Sequence, residues 1–466
     1  MKTDPGELNE IIEKAEKAGA TYADIRFENL RTTRIRIKNN ELSMFRTAIE
    51  TGLGLRVLVN GAWGFTSGST TKEVLNQTNR VVSLARITSA NRKEKIEIDT
   101  LPKVRDTVDW KPKKDPLQMS TSEKVELVLE ANKRARSNRP QIIQATTEYL
   151  EGLGERWFAS SEGSLIKWSR SRTFFQVGLV GKEGNVIEER WKAFGGTGGL
   201  EATPFDEALL MTEREANNVV KLLSAKSAPS GSLPAVLNSD LGYTFVHEAF
   251  GHLCEGDSVL AGESVLEGKI GEKIASECVT IIDDPTQIEE SGRPAYGSFP
   301  YDDEGIKAEP TILVDQGRLI SFLHSRETAS RLNQQTTGNG RVENYKHRPI
   351  VRMTNIYFKP GTHTQEELFE GIRDGVYLVD AFGGQTGGQG TFHLGVVMAY
   401  RIKNGELGEL LRGTGISGRT LEVLRHVEAT GKNMGYEIGI CGKGGQSVPT
   451  GSNGPQVRVS KLMIGG

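Results

Sequence analysis

The chain has 466 residues, 25% of them charged, and a formal net charge of −2. That balance lacks the basic footprint selected by nucleic acid or an anionic membrane surface. No apolar stretch reaches the length of a membrane span, and three cysteines are too few and too odd for a disulfide framework. The length predicts two or three domains, and the cysteine usage a soluble protein of a reducing, cytoplasmic compartment.

Asp4 caps and Pro5 opens a first helix that Gly19 closes, so the start reads as structure rather than as a signal peptide. Period-two stretches follow at 23–28, 33–37, 53–59 and 62–66, with Asn39-Asn40 and Asn60-Gly61 between them as hairpin signals. Helical patterns at 73–84 and 123–134 lead into a β-meander over 142–194, turning at Glu162-Gly163 and Glu183-Gly184. A helix at 206–223 closes this half. Strands and helices mix without β-α-β alternation, which predicts an α+β fold with an N-terminal domain, 1–225, built on a mainly antiparallel sheet. The loop 226–234 marks a boundary to a β-rich C-terminal domain, 226–466. There, 21 of the 54 glycines fall after residue 380, too dense for long helices. That segment is expected to form short strands and tight turns in a curved or barrel-like sheet.

The densest chemical signal is His247-Glu248-Ala249-Phe250-Gly251-His252, two of only seven histidines with a glutamate beside the first. It is a relative of the H-E-x-x-H zinc signature, in which imidazoles hold the metal and the glutamate handles water. The interval is one residue too long. At about 100° per residue a straight α-helix turns His252 about 140° away from His247. A local π-turn, or a helix that bends or ends at Gly251, would swing it back. Asn238-Ser239-Asp240 offers the N-cap, and Leu241, Phe245, Val246, Ala249 and Phe250 the buried side. The competing reading is a core helix with two satisfied histidines.

An open catalytic zinc site needs a third protein ligand. Cys254 points away from His252 in a continuing helix and reads as a small buried residue, as does Cys278 in its apolar run. Cys441, among glycines and beside Lys443, ranks first on chemistry, ahead of Glu255, Asp257 and His393, and spacing alone does not separate them. Gly52-Leu53-Gly54 lacks the third glycine of a dinucleotide loop, and Tyr301-Asp302-Asp303-Glu304-Gly305 lacks the oxygen ligands of a calcium loop. Arg341, Glu343, Tyr345 and His347 crowd one short segment, either as a solvated loop or as substrate contacts.

Taken together, the block His247 to Asp257, Tyr301 to Gly305, Thr337-Gly338-Asn339-Gly340-Arg341, Arg352-Met353-Thr354-Asn355 and Cys441 to Pro449 resembles, in order, the TldD/PmbA metalloprotease family, also called modulators of DNA gyrase. The resemblance is to the metal-bearing TldD-type subunit and covers nearly the whole second half. It implies zinc held by His247, His252 and Cys441, Glu248 as catalytic base, and short or unfolded peptides as substrates. It also implies a heterodimer with a related subunit lacking the histidine motif, with a homodimer as the other possibility. Tyr345, His347 and Arg341 are the candidates for oxyanion or peptide contacts. The rival functions are a non-enzymatic modulatory subunit and a zinc amidase on a non-peptide substrate.

Overall fold

A computed structural model describes residues 5–289, 292 and 294–465. The first helix, Pro5–Lys17, is present, while its expected cap Asp4 lies outside the described residues. The fold is α+β, built on two large sheets formed by residues 22–197 and 231–464.

The first sheet has seven strands, antiparallel apart from one short edge strand, Arg105–Val108, which runs parallel to Leu165–Glu183 and has no sequence signal. Its central members are long: Tyr22–Lys38, Glu41–Val59, Ile142–Ser160 and Leu165–Glu183. The two strands expected at 23–28 and 33–37 are one. Asn39 and Asn40, both at positive φ, then turn the chain into Glu41–Val59.

Alternation along these strands gives the sheet two unlike faces. Ile25 and Phe27 meet helices Pro5–Lys17 and Thr71–Ala90, while Ile35 and Ile37 on the same face meet Thr121–Arg136 and Phe205–Ser224. The opposite face is charged yet buried, because the second half of the chain covers it. Arg56 binds Asp24 and reaches across to Glu304 at 2.6 Å, and Arg156 binds Glu28 and Asp303. The 301–305 segment is therefore an ionic staple between the two halves.

The second sheet runs Glu406–Arg419, Thr391–Lys403, Asp374–Thr386, Gly231–Leu237, Gln446–Ile464 and Val427–Lys443. Glu406–Arg419 also pairs with Gln446–Ile464, at Ile416↔Ile464 and Ser417↔Met463, so five strands close into a ring. Closure removes two open edges. Val427–Lys443 lies outside that ring, paired with a strand on one side only among the described residues, its other side bridged to His363 at Gly431. The glycine-rich segment thus gives a curved, closed sheet as expected, but its strands run to 13–19 residues rather than being short. Bulges such as that between Ala381 and Gly384 supply the bending.

Candidate metal centre

Asn238 caps the helix that enters the second core, its Oδ1 accepting from Leu241 N at 2.9 Å. After one α-helical turn the backbone widens into a π-turn over Phe245–Phe250, where Gly251 N donates to Val246 O five residues back. That widening puts His247 and His252 on one face, with ring centroids 5.3 Å apart. The apolar positions 245, 246, 249 and 250 are buried in the ring-shaped sheet's core, and Thr420 Oγ1 donates to Ala249 O at 2.8 Å. The hydroxyl supplies a partner where the helical ladder is disturbed.

The π-turn ends with Gly251 as its cap, as expected, but glycine's backbone freedom is not what the position uses. Its backbone is ordinary right-handed helix, and the distortion sits before it, at Phe250 with φ −120°. Space is what position 251 requires: a Cβ there would run into Met353 Sδ and reach 3.0 Å from Ile356 Cδ1.

Cys441 arrives on Val427–Lys443, hairpinned to Gln446–Ile464. Fully buried Arg352 ties this hairpin down by donating to the carbonyls of Cys441 and Gln446. The ligand-type atoms of His247, His252 and Cys441 lie within 4.8 Å of one another, with His252 Nε2 3.5 Å from the Cys441 sulfur. Glu248 Oε2 is 3.9 Å from the same nitrogen. Burial pushes the Cys441 thiol up, but the two imidazoles more than offset it and bring its pKa down to about 4. Burial lowers His252, but Glu255 and Cys441 overcome this and raise it to about 10. Thiolate and imidazolium stabilise each other there.

Behind His252, Nδ1 meets buried Glu255 at 2.9 Å, Lys443 Nζ sits 3.0 Å from the same carboxylate oxygen, and Asp257 holds Lys443 at 2.7 Å. Sequence reasoning had Glu255 and Asp257 as alternative ligands. The fold makes Glu255 the partner of a histidine and Asp257 the partner of Lys443, a role that only the i+3 interval from His252 to Glu255 could have suggested.

His393 is exposed on a strand opposite Ser417 and outside the group. Arg341 is buried and spends its guanidinium on the carbonyls of Met353 and Pro449. Tyr345 packs its ring over Gly52 of the first sheet, and the His347 carbonyl accepts from Arg26 at 2.9 Å. Tyr345 and His347 therefore belong to the seam between the two halves, because the charged sheet face needs hydrogen-bonding partners there. Cys278 is exposed rather than core, while Cys254 is buried as expected.

Next to the histidines opens a cavity of about 250 Å³, walled by His247, Glu248, Tyr243, Gly439, Ile440 and Lys192 among others. Two imidazoles and a depressed thiol match the soft N/S donor set that binds zinc, and His247 Nδ1 is buried with no hydrogen-bond partner. The residues present fit a metal ion.

Family models match along the chain: PmbA/TldA metallopeptidase domain 1 at residues 23–86, the central domain at 114–224 and the C-terminal domain at 230–466. A Methanothermobacter thermautotrophicus protein named Metalloprotease is 38% identical, with 100% of each chain covered. A Saccharolobus solfataricus protein named Zinc metalloprotease TldD homolog is 31% identical, over 98% of this chain and 99% of that one. Among solved structures, a modulator of a DNA gyrase from Thermotoga maritima shares the fold with TM-score 0.77 at 22% identity, covering 99% of this chain and 100% of that one. TldE from Thermococcus kodakarensis does so with TM-score 0.75 at 18% identity and the same coverage. No helix among the described residues is long and apolar enough to cross a membrane. Matched by family models over most of its length and by full-length relatives above 30% identity, the chain belongs to the PmbA/TldA (TldD/PmbA) metallopeptidase family and is by class a metal-dependent protease.

Proposed function

We propose that the chain hydrolyses peptide bonds of short or unfolded peptides, with a zinc ion held by His247, His252 and Cys441 and with Glu248 as general base. The observation that carries this reading is the convergence of two imidazoles and a thiolate beside a half-buried glutamate at the wall of a cavity. When bound, zinc supplies Lewis acidity, which in such sites lowers the pKa of water towards about 7. Glu248 takes the proton from the attacking water and hands it to the leaving amine. With a metal bound, His252 would be neutral and Glu255 would keep its remaining proton on Nδ1, leaving the Nε2 lone pair for the ion beside Cys441.

Substrate access follows from shape. A cavity of about 250 Å³ admits an extended chain and excludes a folded domain. Ile438, Gly439 and Ile440 line it from a strand whose second edge, bridged to His363 only at Gly431, has no strand partner there among the described residues. Backbone added to that edge would be held without regard to side chains, giving sequence-tolerant cleavage. We include in the reading a partner, either a related subunit without the histidine motif or a second copy of this chain.

The test is Glu248→Gln on metal-loaded protein with a mixed peptide library. Metal content and fold should persist while cleavage falls by at least about a hundredfold, the usual contribution of a general base. Undiminished cleavage would exclude Glu248 as the base.

A further inference from the structure

A second cavity, of about 40 Å³, lies between the charged face of Leu165–Glu183 and the 298–303 segment of the other half. It holds a few waters or one small anion. Arg156, Arg170, Arg172 and Arg341 line it, with Trp110 and Trp168. The charge balance is uneven. Arg156 binds Glu28 and Asp303 at 2.6 and 2.8 Å. The other three guanidiniums have no carboxylate within hydrogen-bond reach among the described residues. Arg172 donates to the carbonyls of Tyr296 and Ser298, and Arg341 to those of Met353 and Pro449. Arg170 Nη1 lies 3.6 Å from Glu28, is buried, and makes no hydrogen bond.

Asp302 also faces the cavity, but backbone amides of Glu304, Ile306 and Gly340 occupy its oxygens. Burial, then neighbouring Glu304, raises its pKa well above the usual carboxylate range. Two carboxylates thus serve four guanidiniums in a largely buried seam. Uncompensated buried charge is costly, and a missing counter-ion is one standard reason for an orphaned buried donor. Burial, followed by repulsion from neighbouring guanidiniums, lowers the pKa of Arg170, Arg172 and Arg341 alike.

We propose that this cavity binds a small oxyanion, a carboxylate or a phosphate, through the free edge of Arg170. Guanidinium forks match such groups geometrically and suit them better than a point-like ion. One source is the C-terminus of a substrate peptide. Arg170 and Gln176 share one face of Leu165–Glu183, six residues or about 20 Å apart, and Gln176 lines the cavity beside His247. A chain cleaved there would bring a terminal carboxylate to Arg170 about six residues further on, an arm that rests on the proposed peptidase reading. The other source is free phosphate.

The experiment compares wild type with Arg170→Gln as full-length metal-loaded protein. Inorganic phosphate is titrated while the melting temperature is followed, and peptide pairs differing only in a free or amidated C-terminus are cleaved in parallel. Without anion, Arg170→Gln should melt no lower than wild type, since it relieves repulsion. A phosphate-dependent rise seen only in wild type supports the site. A free-acid preference of roughly tenfold that disappears in Arg170→Gln supports it and assigns the peptide terminus. A phosphate rise with equal cleavage of both peptides supports it and assigns the free anion. The absence of both a phosphate rise and a free-acid preference overturns the site, even with cleavage intact. Loss of cleavage in both proteins would count against the peptidase reading instead, and the phosphate titration would then decide the site alone.

Discussion

Lys443→Met isolates the outer layer of the metal centre. The lysine touches none of the three ligand atoms, yet its ammonium lies 3.0 Å from Glu255, 2.7 Å from Asp257 and 3.2 Å from the Val351 carbonyl. Glu255 is 1% exposed and orients His252 through Nδ1. Replacing the lysine leaves that carboxylate with His252 alone and with Asp257 as an unneutralised neighbour, so the carboxylate both moves and repels. Loss of such outer partners lowers metal affinity by about 10- to 100-fold, or 1.4–2.8 kcal/mol. Lys443 is 22% exposed and Asp257 34%, so water replaces part of the lost interaction and places the effect near tenfold. The assay is competition for zinc against a chelator of known affinity, with Lys443→Arg as the charge-preserving control. Affinity within twofold of wild type in Lys443→Met would refute the idea that Glu255 is held by this ammonium.

Gly251→Ala should destabilise the fold by about 1–3 kcal/mol through overpacking against Met353 and Ile356, although alanine is the better helix former. Urea unfolding measures it, and an unchanged or raised midpoint would contradict the steric account. Glu437→Gln tests a buried cluster in which Lys192 meets Asp240, Asp380 and Glu437. Burial, then Asp240, raises Glu437 to about 8 despite Lys192. A raised carboxyl favours the protonated fold, so its contribution is complete below about pH 4.3 and is lost as pH rises towards 8. Wild type should therefore lose more stability than Glu437→Gln between pH 5 and pH 8, and parallel pH profiles would show that Glu437 does not titrate in that window. Asp380, pushed up by burial but held well below its ordinary range by Lys192 and Arg190, acts in the opposite sense and only in strong acid.

What the sequence discloses depends on how locally each feature is encoded. Turns carry their own signal, and the Asn-Asn and Asn-Gly pairs sit at positive φ as their side chains favour. The histidine interval is local too: five residues and a shared ion require a widened turn, and Phe245–Phe250 has one. Strand 22–38 looks like two strands because Asn29, Leu30 and Arg31 leave one helix-covered core before Ile35 enters the next. Nothing in the alternation tells that its polar face is covered, so Arg26 and Arg56 read like solvated residues. The docking of Tyr345 and His347 on the first sheet is equally hidden in the sequence, since a polar loop docks as readily on a charged sheet as on a substrate. Cys441 is the extreme case. Its proximity to His252 is set by a hairpin some 190 residues away; its chemistry ranked it first among the donors, but spacing could not separate it from them and the family resemblance was needed to select it.

Closure of the second sheet carries a consequence for biosynthesis. The hairpin that delivers Cys441 has as its second strand Gln446–Ile464, the same strand that completes the ring against Ile416 and Ser417. A ribosome releases His247, Glu248 and His252 long before this hairpin exists. Nascent or prematurely terminated chains therefore carry Glu248 and both histidines without Cys441 and without the closed sheet around them. On the proposed ligand set, hydrolysis would begin only once strand Gln446–Ile464 has brought Cys441 to the histidines, so the order of synthesis would itself delay proteolysis.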